Sequence, residues 1–302
     1  MSLDNTLQKS QKWASVLQSQ VRNDSFIGMM IANTKFEGDF TGNGTINFRR
    51  QAKITVSTMT SGSSEIPVTK LVQTNETFNL TKYLGFAVEV SDQEYAEMDI
   101  DPDSQVMQDA KEAFGRAFDL DIFGTYASAG LVVQDGDMET ATNGGTTNPI
   151  IVTKANMYEV LRKINLKMNK AVDSLGNKTG LPSKDRWVVV SPDEQYHIEG
   201  MDELLRSTEL GDKLVTGGFS GTILGLKIYN TNLLSEVSTT RYCLFGQGKP
   251  VSFGSNLKPK IQFVGSETQA NTFLNYIKGM TRYNSKVFAE GAERFGALKT
   301  KV

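Results

Sequence analysis

The 302 residues include a single cysteine, Cys243, and a single histidine, His197. One cysteine excludes an internal disulfide and any Cys-cluster metal site. It also fits a chain that folds in a reducing cytosol. Cys243 lies between Tyr242 and Leu244 in an apolar stretch, the setting of an inert core thiol. One histidine narrows the enzymatic options. No stretch approaches the ~20 apolar residues of a membrane span. The opening MSLDNTLQKSQKW has no apolar signal core, so the expectation is a soluble chain made in the cytoplasm, with no membrane partner. Net charge is nearly absent, at −2 with a pI of 5.7. That balance excludes a dedicated nucleic-acid binder that neutralises many phosphates. There is no internal repeat and no low-complexity tract. Length alone sets a prior of about two domains.

Motifs that carry chemistry are also scarce. Ser191, Asp193 and His197 can be drawn as a triad, but no G-x-S-x-G elbow accompanies them and their spacing does not establish triad geometry. The glycine-rich 217–221 lacks the Lys-Ser/Thr of a phosphate loop. Asp99, Asp101 and Asp103 alternate like the start of a calcium loop, yet Ser104 and Ala110 stand where that loop needs Gly and Glu. Asp135-Gly136-Asp137 fails in the same way. Asp119 and Asp121 flank Leu120 on a predicted helix, roughly 200° apart, too far round to share a proton or a metal. No catalytic, cofactor-binding or metal-ligating residue is assigned. The weight therefore moves towards a structural role.

What is present is organised around 103–130. Asp103 or Ser104 can cap a helix there, because a short polar side chain accepts from the first free N–H groups. Val106, Met107, Ala110, Phe114, Ala117 and Phe118 recur at three and four spacing, which gives one apolar face. Gly130 is a reasonable stop. Taken alone, such a helix fits the core of an α/β enzyme. Ahead of it, 1–34 is polar with a thin apolar stripe (Leu7, Trp13, Val16, Leu17, Val21), an arm that must lie on something else. Residues 45–56 alternate as strand, 57–64 form a polar tip, 66–80 return, and 83–90 extend towards a third strand. A two-stranded hairpin of this kind is marginal in water and offers open edges, so another part of the chain or another molecule must cover it. A short helix is predicted near 91–98 and a loop at 131–150.

A second α/β region follows. It has a helix at 154–171 with Met157, Val160, Leu161, Ile164 and Met168 on one face, a buried strand at 186–190 and a helix at 192–205. Strands at 226–229 and 241–245 come next. The last part is β-rich, with strands at 250–253, 260–264 and 272–288. Charge is placed unevenly: 87–140 holds fourteen Asp and Glu against Lys111 and Arg116, whereas 258–302 holds eight Lys and Arg against Glu267, Glu290 and Glu293. Such regions can pair within a molecule or between copies.

In this order the parts resemble a tailed-bacteriophage major capsid protein of the Hong Kong 97 fold, an α+β fold. GTINFRR opens the long hairpin, IPVTKLVQTNETFNLTKYLGFAVEVSDQE returns it, and 103–130 takes the place of the family's spine helix. RWVVVSPDEQYHI resembles the start of its axial domain, and GTILGLKIYNTNLL a segment ending in a polar Asn turn. YCLFGQGKPVSFG resembles the return to the peripheral domain, and RYNSKVFAEGAERFGAL the closing strand.

The resemblance implies an N-terminal arm (1–34), an extended loop (35–90), a peripheral domain (91–152 with 248–302) and an axial domain (153–247). It implies hexamers and pentamers forming an icosahedral phage head around double-stranded DNA. The partners would be the chain itself, a portal and a separate scaffolding protein, since the arm begins at Met1 with no fused scaffold. Assembly is expected in the host cytoplasm, with the virion as destination. The tip at 58–64 has no Lys, so the loop crosslinking of some members is not carried over. Arg49, Arg50 and Lys53 are expected to face acids such as Glu112 or Asp119 of a neighbour. Met107, Ala110, Phe114 and Phe118 are expected to pack on the C-terminal strands, with the acids of the helix outward. Two alternatives stay open: an encapsulin-type compartment shell, which shares the fold, and a cytosolic α/β hydrolase with a pocket near His197 or the acidic loop.

Overall fold

The computed structural model describes residues 26–35, 44–51, 73–91, 102–201, 221–255, 260–264 and 274–302. The arm before Phe26, the hairpin tip, Lys53, Asp99 and Asp101, the helix expected near 91–98 and the glycine-rich 217–221 up to Ser220 lie outside them. The described elements form three sheets.

One sheet has seven strands in the order β5 (Leu131–Val133), β14 (Phe295–Lys301), β10 (Thr240–Gln247), β6 (Arg186–Val190), β8 (Leu226–Asn230), β7 (Thr222–Ile223), with β9 (Glu236–Val237) on β10. Every residue of β6 is buried, as a central strand covered on both faces requires. Helix α3 (Met157–Asn169) buries all five expected side chains, Met157, Val160, Leu161, Ile164 and Met168. They occur at three- and four-residue steps and so share one face. Ser191 and Glu194 form the capping box of α4 (Pro192–Glu199), with Pro192 in its first turn. That helix stops at Gly200, short of the expected 205.

The second sheet is built on β13 (Leu274–Val287). Along one side it pairs with β4 (Lys82–Ser91); along the other it pairs with β12 (Lys260–Val264) and then β11 (Val251–Ser255), which is joined in parallel by β1 (Ala32–Asn33). The long helix α2 (Pro102–Phe123) lies against this sheet and tightens into a 3₁₀ turn over Gly124–Ser128. It therefore ends close to the expected Gly130. Among the described residues no helix is long and apolar enough to cross a membrane.

The third sheet is the hairpin, β2 (Thr45–Gln51) with β3 (Gln73–Asn79), in the register Thr45 opposite Asn79 to Gln51 opposite Gln73. One expectation changes here. Residues 83–90 do not extend the hairpin; the chain leaves it at Leu80 and pairs with β13. Residues 131–133 and 295–301 belong to the seven-stranded sheet, where β14 pairs with β10 and β5 with β14. Phe295, Ala297 and Leu298 are buried in the main core there, against β10.

Candidate assembly surface

The hairpin stands on a small core of its own. Phe78 and Leu80 are fully buried, with Ile46, Phe48 and Phe288 packed on them. The Phe288 ring meets Phe48 at 5.0 Å and Phe78 at 6.0 Å, both edge to face. Three side chains of β13 then bolt the base by donating to its carbonyls: Arg282 Nε to Leu80 (2.7 Å), Asn284 Nδ2 to Asn79 (2.7 Å) and Lys286 Nζ to Thr77 (2.6 Å). Above this base β2 and β3 pair only with each other among the described residues.

The expected contact residues divide. Arg49 is exposed and makes no ion pair among the described residues. Arg50 does not wait for a neighbour: it reaches Glu76 across the hairpin (3.5 Å) and Glu290 beyond β13 (3.8 Å). Glu112 is taken by Arg116 one turn on, at 2.8 Å. Asp119 is 1% exposed and so cannot serve as an outward acid. The rule that the acids of the spine helix face outward fails a second time at Asp121. That side chain is buried and paired with Lys82 of β4, while Ser285 Oγ donates to its backbone carbonyl.

The apolar face follows the spacing. Ala110 and Phe114 are buried. Phe114 meets Phe86 of β4 (5.6 Å), and half-buried Phe118 meets Phe253 (5.1 Å) and Tyr283 (5.0 Å). The helix thus packs on β4 and β11 as well as β13. The Met107 side chain lies outside the described atoms.

Asp119 is a residue whose role the sequence did not disclose. The backbone N–H groups of Gly28, Ile27 and Met29, the first turn of α1 (Ile27–Ile31), act on its carboxylate. Burial dominates and lifts its pKa to about 6, against the downward pull of those N–H groups. Oδ1 has no hydrogen-bond partner. Two glycines permit the approach. A Cβ on Gly28 would sit 2.6 Å from Asp119 Oδ1, and one on Gly115 would sit 2.2 Å from the Phe26 ring.

The drawn triad is not formed. Ser191 Oγ donates to Glu194 and accepts from Arg241 Nη1 (2.7 Å) and the Asp193 N–H. Arg241 also holds Asp193 (2.7 Å) and Glu236 (2.6 Å), and Thr300 Oγ1 donates to buried Glu194 (2.7 Å). Its carboxylate partners hold the Arg241 pKa up against burial. His197 stands half-buried beside Tyr196. The network ties the start of α4 to β10 and β14. The Ser191–Glu194 half was legible as a capping box; the partner 50 residues away was not.

Mixed layers of this kind, with a long helix over one sheet and a hairpin projecting from the same sheet, define the Hong Kong 97 type of capsid fold. The sequence signature of the phage capsid protein family covers residues 74–286, and the chain belongs to that family, as a major capsid protein. No curated protein matches it. Among solved structures it is similar to one of Mycobacterium phage Che8, at 14% identity and a TM-score of 0.73 over 98% of each chain. The capsid structure of cyanophage P-SCSP1u matches at 15% identity and 0.72, over 96% of this chain and 92% of that one. The capsid asymmetric unit of cyanophage Pam1 matches at 11% and 0.66, over 99% and 97%. At such identities these likenesses speak for the fold.

Proposed function

We propose that this chain assembles with copies of itself into hexamers and pentamers of an icosahedral head that encloses double-stranded DNA. In this reading it is a shell component and not a catalyst. One observation carries the reading. A hairpin whose base is bolted to β13 projects two strand edges that nothing in its own chain pairs among the described residues. Open edges of that length are a liability unless a neighbour covers them. The hairpin would lie across an adjacent subunit, with the exposed Arg49 turned towards it. The peripheral domain would comprise α2 with the β13 sheet, and the axial domain the seven-stranded sheet, now including 131–133 and 295–301. Weak contacts repeated round a closed shell add up while each stays reversible. With a net charge of −2, DNA would be enclosed without sequence-specific binding. A portal and a separate scaffolding protein would act as partners in the host cytoplasm. Membership of a phage capsid family favours genome over the cargo enzymes of an encapsulin-type shell. Electron microscopy of the expressed protein, alone and with scaffold supplied, is the test. Closed shells are expected; a persistent monomer under both conditions overturns the assembly reading.

A further inference from the structure

The turn that precedes β1 is held to the spine helix in an unusual way. Helix α1 has no side-chain cap from Phe26, the residue at its start. Its three leading N–H groups would be orphans. Instead Asp119, near the C-terminal end of α2, sits under them as a carboxylate supplied across the tertiary contact. Gly28 and Gly115 remove the two β-carbons that would keep the elements apart, and Phe26 fills the space over Gly115. Downstream, Ile31 and Ala32 enter the main core and β1 pairs with β11. The turn at 27–31 is thus fixed on one side by the core and on the other by one carboxylate.

We propose that Asp119 is a proton-operated latch: protonation tightens the hold of the spine helix on the turn at 27–31, and ionisation loosens it, so that the docking of this turn responds to pH. Among the described residues Asp119 acts alone. Residues 26–34 carry no ionisable side chain, and Lys35 beyond β1 is exposed. On its own helix, Arg116 is committed to Glu112 and Asp121 to Lys82. Strand β11 has no charged residue. On β13, Arg282 and Lys286 donate to the hairpin base, and the Tyr283 hydroxyl is pushed up by burial and so stays neutral. Among the described residues no charged group competes for the carboxylate, and its Oδ1, unpartnered among them, gives an added proton a place to sit.

The direction follows from linkage. A carboxyl at about 6 when docked and 3.8 when undocked binds its proton more tightly in the docked state. Docking is therefore most favourable below 3.8, weakens as pH rises through about 6, and is flat above that. Between pH 7.5 and 5.0 the docking constant should change by about tenfold. The latch is a property of the single chain and needs no assumption about assembly.

Hydrogen-exchange protection factors of the Ile27, Gly28, Met29 and Ala32 amides, measured on the full-length chain at both pH values, test it. In the unaltered protein they should rise about tenfold at pH 5.0 relative to amides in α3. In Asp119→Asn, a neutral acceptor of the same shape, they should be high at both pH values with no tenfold step. Carbon-13 titration of the Asp119 carboxyl supplies a readout free of any substitution, with a midpoint expected near 6. A midpoint near 4, or an unaltered protein whose 27–32 amides follow the α3 reference, overturns the latch. So does an Asn variant that keeps the full step.

Discussion

Along β6, from Arg186 to Val190, every side chain is buried; along β3, from Gln73 to Asn79, only Phe78 is. The two strands belong to regions stabilised in different ways. The seven-stranded sheet closes over one large core and ties its polar groups internally, as Arg241 shows with Ser191, Asp193 and Glu236. Among the described residues, the hairpin and its base have two fully buried hydrophobic side chains, with three side chains of another strand holding its carbonyls. The first region carries its own stability. The second has its direction fixed at the base and its surface left open, which is what a part meant for a neighbouring molecule requires.

The contrast breaks most visibly in the polar core. Arg241→Ala strips buried Glu194 of its cation, and removal of one partner of a buried pair costs about 3–5 kcal/mol. The loss should be partly offset because Ser191 and Thr300 still donate to the carboxylate. Equilibrium unfolding in urea, followed by the fluorescence of Trp187 on the neighbouring β6, should show a large drop in midpoint. A drop under about 1 kcal/mol would mean that the hydroxyls alone satisfy Glu194.

Phe288→Ala should act locally. It removes the ring on which Phe48 and Phe78 lean, yet leaves the main core intact. Loss of a partly buried aromatic there should cost about 1–3 kcal/mol, below the range for a fully buried Phe. The hairpin amides should exchange faster while those of α3 do not. A global loss of protection would show that the hairpin is part of one cooperative unit and erase the contrast.

Much of the first region was legible. In α3 the apolar spacing named all five buried residues, because that signal lies within a dozen residues. The spine helix was legible as a helix and in its apolar face. It was not legible in its acids: Asp119 and Asp121 read as surface charge, since nothing local shows that a distant turn and Lys82 come down on them. Strand pairing was illegible for the same reason: nothing local in Phe295 to Lys301 names its partner, β10, a strand distant in sequence. Arg49 and Arg50 are neighbours in sequence, but the pleat sends them to opposite faces, and which face meets Glu290 depends on how the base is bolted.

That last pair gives the smallest effect on folding and the finest division between the two regions. Arg49→Glu alters an exposed cation with no ion pair among the described residues, so unfolding free energy should stay within about 0.5 kcal/mol. Shell yield should nevertheless fall, because the charge presented to a neighbour reverses. Arg50→Glu places an acid beside Glu76 and Glu290 and should cost up to about 1 kcal/mol, the scale of partly exposed pairs. It should also raise exchange at the hairpin base before assembly is considered. Shell counts by electron microscopy beside urea midpoints separate the two. If Arg49→Glu assembles normally while Arg50→Glu fails, the hairpin acts through its own anchoring, and the neighbour recognises its backbone edges and not its charge.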